Sequence, residues 1–367
     1  LILCRMRRST RLHIGARERI AEEMEEVNRM ETFTTATPGI ERQLFTGVKR
    51  IIVAYDFSVA ADRALADAIA LARVFHAEIL IAHVDPPEAA AGNAASGQGG
   101  QASIRYRMEE IRRRVAMAGH SCRELLRTGD VANTLLDLGC EHQGDLLLIG
   151  AYGNGSSERL KLGSTAESLL RSTNCPVLTY GPRFCTPLFQ DNESASILVP
   201  LEFPCDPGSI AFAARTALLF NSRLEVLHVV DTERAQSMPD AAQNSQYLLD
   251  QAIESLRKMG VRAGGSVMFG QPASIIVARS LETHSSLILL ALEARGRLSS
   301  TYSDNVAAQV IRAAQVPVMT FRLNAAPARA TSDTGSWNGV VRSPISNTAA
   351  LVARSHGYRA DLAKTAS

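Results

Sequence analysis

From Lys49 onward, short runs of consecutive apolar residues alternate with longer stretches whose apolar positions recur at helical spacing. Ile51–Ala54, Glu78–Val84, Arg123–Leu126, Leu146–Ile149 and Pro176–Tyr180 read as strands, because they are too short for helices and bounded by turn residues. Between them, Ala60–Phe75, Ile104–Ala118, Val131–Cys140 and Thr165–Arg171 carry the helical period, with a Pro-, Ala- and Gly-rich loop over Pro86–Gln101. Apolar residues run on without alternation in the central strands, which marks strands buried on both faces. Strands interleaved with helices in this way predict an α/β fold with a parallel, doubly wound sheet.

The pattern then repeats. Ser196–Val199 opens a second unit as Arg50–Val53 opens the first, and Glu225–His228 answers Ile79–His83. Leu287–Leu292 answers Leu146–Ala151, and Gln315–Phe321 answers Asn174–Tyr180 at the same spacing, so the chain is an internal duplication. The predicted organisation is an N-terminal extension over 1–47, flexible or helical, a first domain over 48–182 and a linker over 183–194. A second domain follows over 195–323, then a tail over 324–367 whose Ala, Ser, Thr, Gly and Asn content predicts disorder. The extension reads as a solvated basic–acidic helix ending near Val27, with Met30 expected as the natural start, and His13-Ile14-Gly15 as a chance match to a synthetase signature.

Composition narrows the partners. A net charge of +2 and 5% aromatic residues give neither the field nor the stacking surface of a nucleic-acid binder. Cys4, Cys122, Cys140, Cys175, Cys185 and Cys205 are scattered, with no C-x-x-C pair and no His–Cys cluster, so a protein-held metal site is not expected and a reducing cytoplasm is. No apolar run approaches the roughly 20 residues that span a bilayer, and Leu1-Ile2-Leu3 gives way at once to arginines, which predicts no membrane segment or signal peptide.

The chemistry concentrates in one loop. Gly150-Ala151-Tyr152-Gly153 follows the fourth strand, and Gly163-Ser164-Thr165 precedes the next helical pattern. Glycines between a buried parallel strand and a helix N-terminus suit an anion, because backbone N–H groups converge there and the helix dipole favours negative charge. The spacing G-x2-G-x9-G-[S/T] resembles the nucleotide-binding loop of ATP-binding universal stress proteins. Both repeats resemble that family, the first also through Asp56-Phe57-Ser58, His83-Val84, Gly129 and the Cys-Pro-Val fifth strand.

The resemblance implies an adenine nucleotide alpha hydrolase-like fold with strand order 3-2-1-4-5 in each domain, ATP lying at the carboxyl ends of strands one and four, and Mg2+ or Mn2+ bridging its phosphates. It implies that Asp56 accepts hydrogen bonds from adenosine, that Ala54 lines the adenine slot and that Val84 packs against the base. Gly150 and Gly153 would approach ribose and phosphates, and Gly163, Ser164 and Thr165 would hold the phosphates, with charge added by Arg159 and Lys161. Structural readings stand beside these. Asp56-Phe57-Ser58 suits a helix cap, Ser164-Thr165-Ala166-Glu167 a capping box, and His83 a buried strand end.

In the second repeat Ala291, Ala294, Asp304 and Asn305 replace Gly150, Gly153, Gly163 and Ser164, and Glu202 replaces Asp56. Carboxylates there repel phosphate, so one ATP site per chain is expected, with Asp304 and Asn305 as plain helix caps. The two domains are expected to pack through their fifth strands as an intramolecular pseudo-dimer, with a further homodimer open to them. No nucleophile–base pair falls in the motif, so the expected role is a nucleotide-responsive stress regulator or survival factor. The rivals are a ligand-free interaction scaffold and a slow ATP-hydrolysing enzyme of the same fold.

Overall fold

The structure, a computed structural model, describes residues 48–86, 97–153, 162–173, 175–185, 188, 195–231, 241–292 and 300–322. The expectations for the extension, the tail, Arg159, Lys161 and Ala294 fall outside these residues.

The first repeat runs β1 (Arg50–Ala54), α1 (Val59–Phe75), β2 (Glu78–Asp85), α2 (Gly97–Met117), β3 (Cys122–Thr128), α3 (Val131–Glu141), β4 (Leu146–Gly150), α4 (Ser164–Ser172) and β5 (Val177–Tyr180). The second runs β6 (Ser196–Pro200), α5 (Pro207–Leu219), β7 (Arg223–Val230), α6 (Ala241–Lys258), β8 (Ala263–Phe269), α7 (Pro272–Glu282), β9 (Leu287–Leu292), α8 (Ser300–Ala313) and β10 (Val318–Arg322). Each half has its strands in the order 3-2-1-4-5, and the halves meet at β5 and β10 to give one ten-stranded sheet. Every pairing is parallel except β5 with β10, where Met319 lies opposite Leu178. That antiparallel seam is the fifth-strand contact expected of a pseudo-dimer.

Alternate residues of each strand feed two apolar layers, as the side-chain period of two requires. Ile51, Val53, Ile79, Ile81, Leu146 and Leu148 pack under α1 and α2, in one cluster with Ile197, Val199, Leu287 and Leu289 of the second half. Ile52, Leu80, Leu147 and Ile149 pack under α3 and α4, in one cluster with Leu198, Ile288 and Leu290. Both layers therefore run through the seam.

Helix starts differ from the sequence reading in three places. α2 begins at Gly97, seven residues before Ile104, despite the low helix propensity of Gly97, Gly99 and Gly100. α4 begins at Ser164 with Gly163 as its N-cap, so the capping box led by Ser164 is not formed, and Glu167 pairs instead with Arg171 at 2.7 Å. α8 begins at Ser300, which puts Asp304 and Asn305 inside the helix rather than at its cap.

The segment between the domains is more than a tether. Phe184 and Leu188 are buried in the first layer, with Phe184 against Tyr180 and its carbonyl accepting from Arg63 at 2.7 Å.

Candidate functional site

Two strand ends and one helix start converge at the carboxyl edge of the first half. After β1 the Tyr55 N–H donates to the Ala82 carbonyl, which holds the strand one residue longer against β2. Phe57 then turns the chain in left-handed backbone at φ 62°, uncommon for a residue with a Cβ. Two local bonds secure that turn: Ser58 N–H donates to Asp56 Oδ1 at 3.0 Å, and Ala61 N–H donates to Ser58 Oγ at 3.1 Å. Ser58 is thus the N-cap of α1, and Asp56 stays half-buried in front of it with one carboxylate oxygen bound to the turn.

β4 delivers the glycines. A Cβ on Gly150 would lie 2.9 Å from the Ala60 Cβ, so this glycine lets the start of α1 close on the end of β4. A Cβ on Gly153 would lie 3.3 Å from Asp56 Oδ2, which places the loop backbone beside the carboxylate. Gly163 N–H donates to the Ala151 carbonyl at 2.9 Å, closing the loop on itself, and a Cβ there would crowd the same oxygen at 2.9 Å. Gly163 caps α4 without a side-chain bond, so no side chain at the N-cap satisfies the first-turn N–H groups of that helix. Ser164 is exposed and Thr165 half-buried on that turn.

The apolar wall is formed by Val84, buried in the same layer against which Ala54, Val131 and Tyr152 pack. The structure therefore brings Ala54, Asp56, Val84, Gly150, Gly153, Gly163, Ser164 and Thr165 to one edge of the sheet. Tyr152 is the member the sequence reading passed over. Its hydroxyl is shielded from solvent and has no hydrogen-bond partner among the described residues, and burial pushes the phenol pKa up. Its position between Gly150 and Gly153 was the available signal.

His83 has a structural duty. Its Nδ1 lies 2.7 Å from the Tyr55 carbonyl and so donates to it, its Nε2 lies 3.3 Å from Asp85, and the Phe57 ring packs on it. The second half repeats the device: His228 Nδ1 meets the Leu201 carbonyl at 2.8 Å, with Phe203 against the ring. The device is kept in both halves, so it fastens the strand end whether or not the glycine loop stands beside it.

Among the described residues, the counterpart edge of the second half lacks this arrangement. Glu202 is exposed, Ala291 stands where Gly150 stands, and α8 runs through the position of Gly163. Among the described residues, no group of three or more His, Cys, Asp or Glu could hold a metal ion, and no helix is long and apolar enough to cross a membrane.

The universal stress protein family model matches residues 47–180 and 195–322. A universal stress protein of Synechocystis is 26% identical over 200 residues, 53% of this chain and 63% of the relative, so this chain spans less than two thirds of that protein. A universal stress protein of Methanocaldococcus jannaschii is 26% identical over 140 residues, covering 35% of this chain and 80% of the relative. Among solved structures, a universal stress protein from Archaeoglobus fulgidus superposes with a TM-score of 0.58 at 16% identity, over 74% of this chain and 98% of that one. A functionally unknown protein from Pseudomonas aeruginosa gives 0.54 at 16% identity, over 76% and 94%. At such identities the likeness is one of fold, and it extends across both halves.

Proposed function

The chain belongs to the universal stress protein family, and on that premise we propose that its first domain binds one adenine nucleotide, ATP, and that the protein acts as a nucleotide-responsive stress regulator or survival factor. The observation carrying this reading is the meeting of the Asp56 carboxylate, the Gly153 backbone and the start of α4, which has no side-chain acceptor at its N-cap. A carboxylate suits sugar hydroxyls, and first-turn N–H groups that no N-cap side chain satisfies suit phosphate. Ala54 and Val84 offer the apolar wall a purine needs. A Mg2+ or Mn2+ ion would be carried by the phosphates, since no described cluster supplies it with protein ligands. The second domain serves as packing partner.

A rival reading, a ligand-free interaction scaffold, draws on the packing duties of Gly150 against Ala60 and of Gly163 against Ala151, which account for those glycines without a ligand. Titration calorimetry of the full chain with ATP separates the two, together with mass spectrometry of nucleotide released on denaturation. One site per chain is expected, and Asp56→Asn, which keeps an acceptor for Ser58 N–H, should weaken it more than it lowers the melting temperature. No binding of any adenine nucleotide leaves the scaffold standing, and two equivalent sites would refute the asymmetry between the domains.

A further inference from the structure

The helix whose N-terminus faces the proposed phosphates is gripped at its other end by the second domain. Arg322, the last residue of β10, donates from Nε and Nη2 to the Leu170 carbonyl of α4 at 3.1 and 2.8 Å. Leu170 lies in the last turn of α4, where the final carbonyls have no intrahelical donor and the helix dipole is negative. Two charge-assisted bonds from one half-buried guanidinium satisfy that carbonyl and fix the axis of a nine-residue helix.

The pseudo-symmetry of the chain provides the control. The residue matching Arg322 in the first repeat is Gly181, and the residue matching Leu170 is Ile311. Gly181 approaches the Ile311 carbonyl so closely that a Cβ would lie 2.1 Å from its oxygen, so position 181 offers that carbonyl no side chain. The cap therefore exists on α4, which starts at the glycine loop, and among the described residues the matching position gives no such cap to α8. A second cation of the same domain, Arg312, lies close enough to Tyr152 of the loop to offset part of the upward push of burial on that phenol.

We propose that Arg322 of the second domain is a positioning residue for the nucleotide site of the first, holding α4 so that its N-terminal amides meet the phosphates. This rests on the nucleotide-binding reading above. It gives the second domain a task beyond packing, because ligand binding in one half then depends on a side chain of the other.

Calorimetry on the full chain tests it, with ATP and adenosine as probes and hydrogen exchange read over residues 164–172. Arg322→Ala should weaken ATP about two- to fivefold, the span of a helix-terminal charge, and leave adenosine, which has no phosphate, unchanged. Exchange over α4 should quicken, and Arg322→Lys should recover part of both. Arg257→Ala removes an exposed arginine-to-carbonyl contact within the second half, to Ala263 six residues along the chain, and should do neither. Equal weakening of ATP and adenosine marks a general loss of structure and overturns the inference, as does unchanged ATP affinity in Arg322→Ala. Failure of the wild-type chain itself to bind ATP overturns the parent reading, an outcome separate from the other two.

Discussion

Asp67 and Tyr180 form a buried polar pair in the first repeat, with the tyrosine hydroxyl donating to the carboxylate at 3.0 Å. Their counterparts in the second repeat are Phe212 and Phe321, which stack at 3.8 Å. The duplicated fold thus accepts either a polar or an aromatic solution at this place, and only the polar one carries a pH dependence. Burial raises the Asp67 pKa from 3.8 to about 6, against smaller downward effects from Tyr180 and the Leu188 N–H. A raised carboxyl pKa means the folded state binds the proton more tightly than the unfolded one. That stabilisation is complete below the unfolded pKa, declines as pH rises through about 4 to 6, and is absent above. The difference corresponds to about 3 kcal/mol. Denaturant unfolding of wild type and Asp67→Asn across pH 4 to 7.5 should therefore show the wild type losing stability relative to the variant as pH rises. Parallel curves would mean that Asp67 is ionised in both states. The same comparison of repeats confirms the structural reading of His83 from sequence, since His228 makes the same carbonyl contact.

At the scale of elements, strands were legible because burial on both faces leaves little besides Ile, Leu and Val in β1, β4 and β9. Helix starts were not. Ser164 and Glu167 have the spacing of a capping box, but the Gly163 bond to the Ala151 carbonyl, made across a loop, sets the entry of α4 one residue earlier. Sequence shows the local competitor and not the loop closure that defeats it. Arg322 was illegible for a related reason: its partner carbonyl lies 152 residues away. The loop closure also changes what a substitution at Gly163 means. Gly163→Asp would bring a charge into the phosphate niche, but its Cβ alone crowds a backbone oxygen. Gly163→Ala carries the steric cost without the charge. The charge effect is the ATP affinity of Gly163→Asp relative to Gly163→Ala, and it should exceed tenfold, about 1.4 kcal/mol. Equal losses in the two variants would place the whole effect in loop geometry.

For the molecule as a whole, the seam between β5 and β10 decides how the halves can exist. Val177, Leu178, Thr179 and Tyr180 are buried, as are Val318, Met319, Thr320 and Phe321, so either strand left alone would be an apolar sheet edge. A lysine at Val177 or Val318 would be a poor probe of that seam, because both side chains also pack under the helices of the second layer and an ammonium there disrupts the core itself. Removing the partner is cleaner. A chain of residues 48–188 keeps its own five strands and the Phe184 and Leu188 anchors, and exposes β5. Its two copies have Val, Leu, Thr and Tyr where β10 has Val, Met, Thr and Phe, so antiparallel β5–β5 pairing reproduces the seam. Sedimentation equilibrium should show a dimer, and a monomer as stable as the full chain would show that the seam is dispensable. The dimer would differ from the natural chain in one respect. Gly181 would occupy the place of Arg322 on both sides, so neither copy of α4 would have its carbonyl capped. ATP affinity in this homodimer should then fall by the same factor as in Arg322→Ala. Full affinity without the second domain would instead mean that the first half holds its helix unaided.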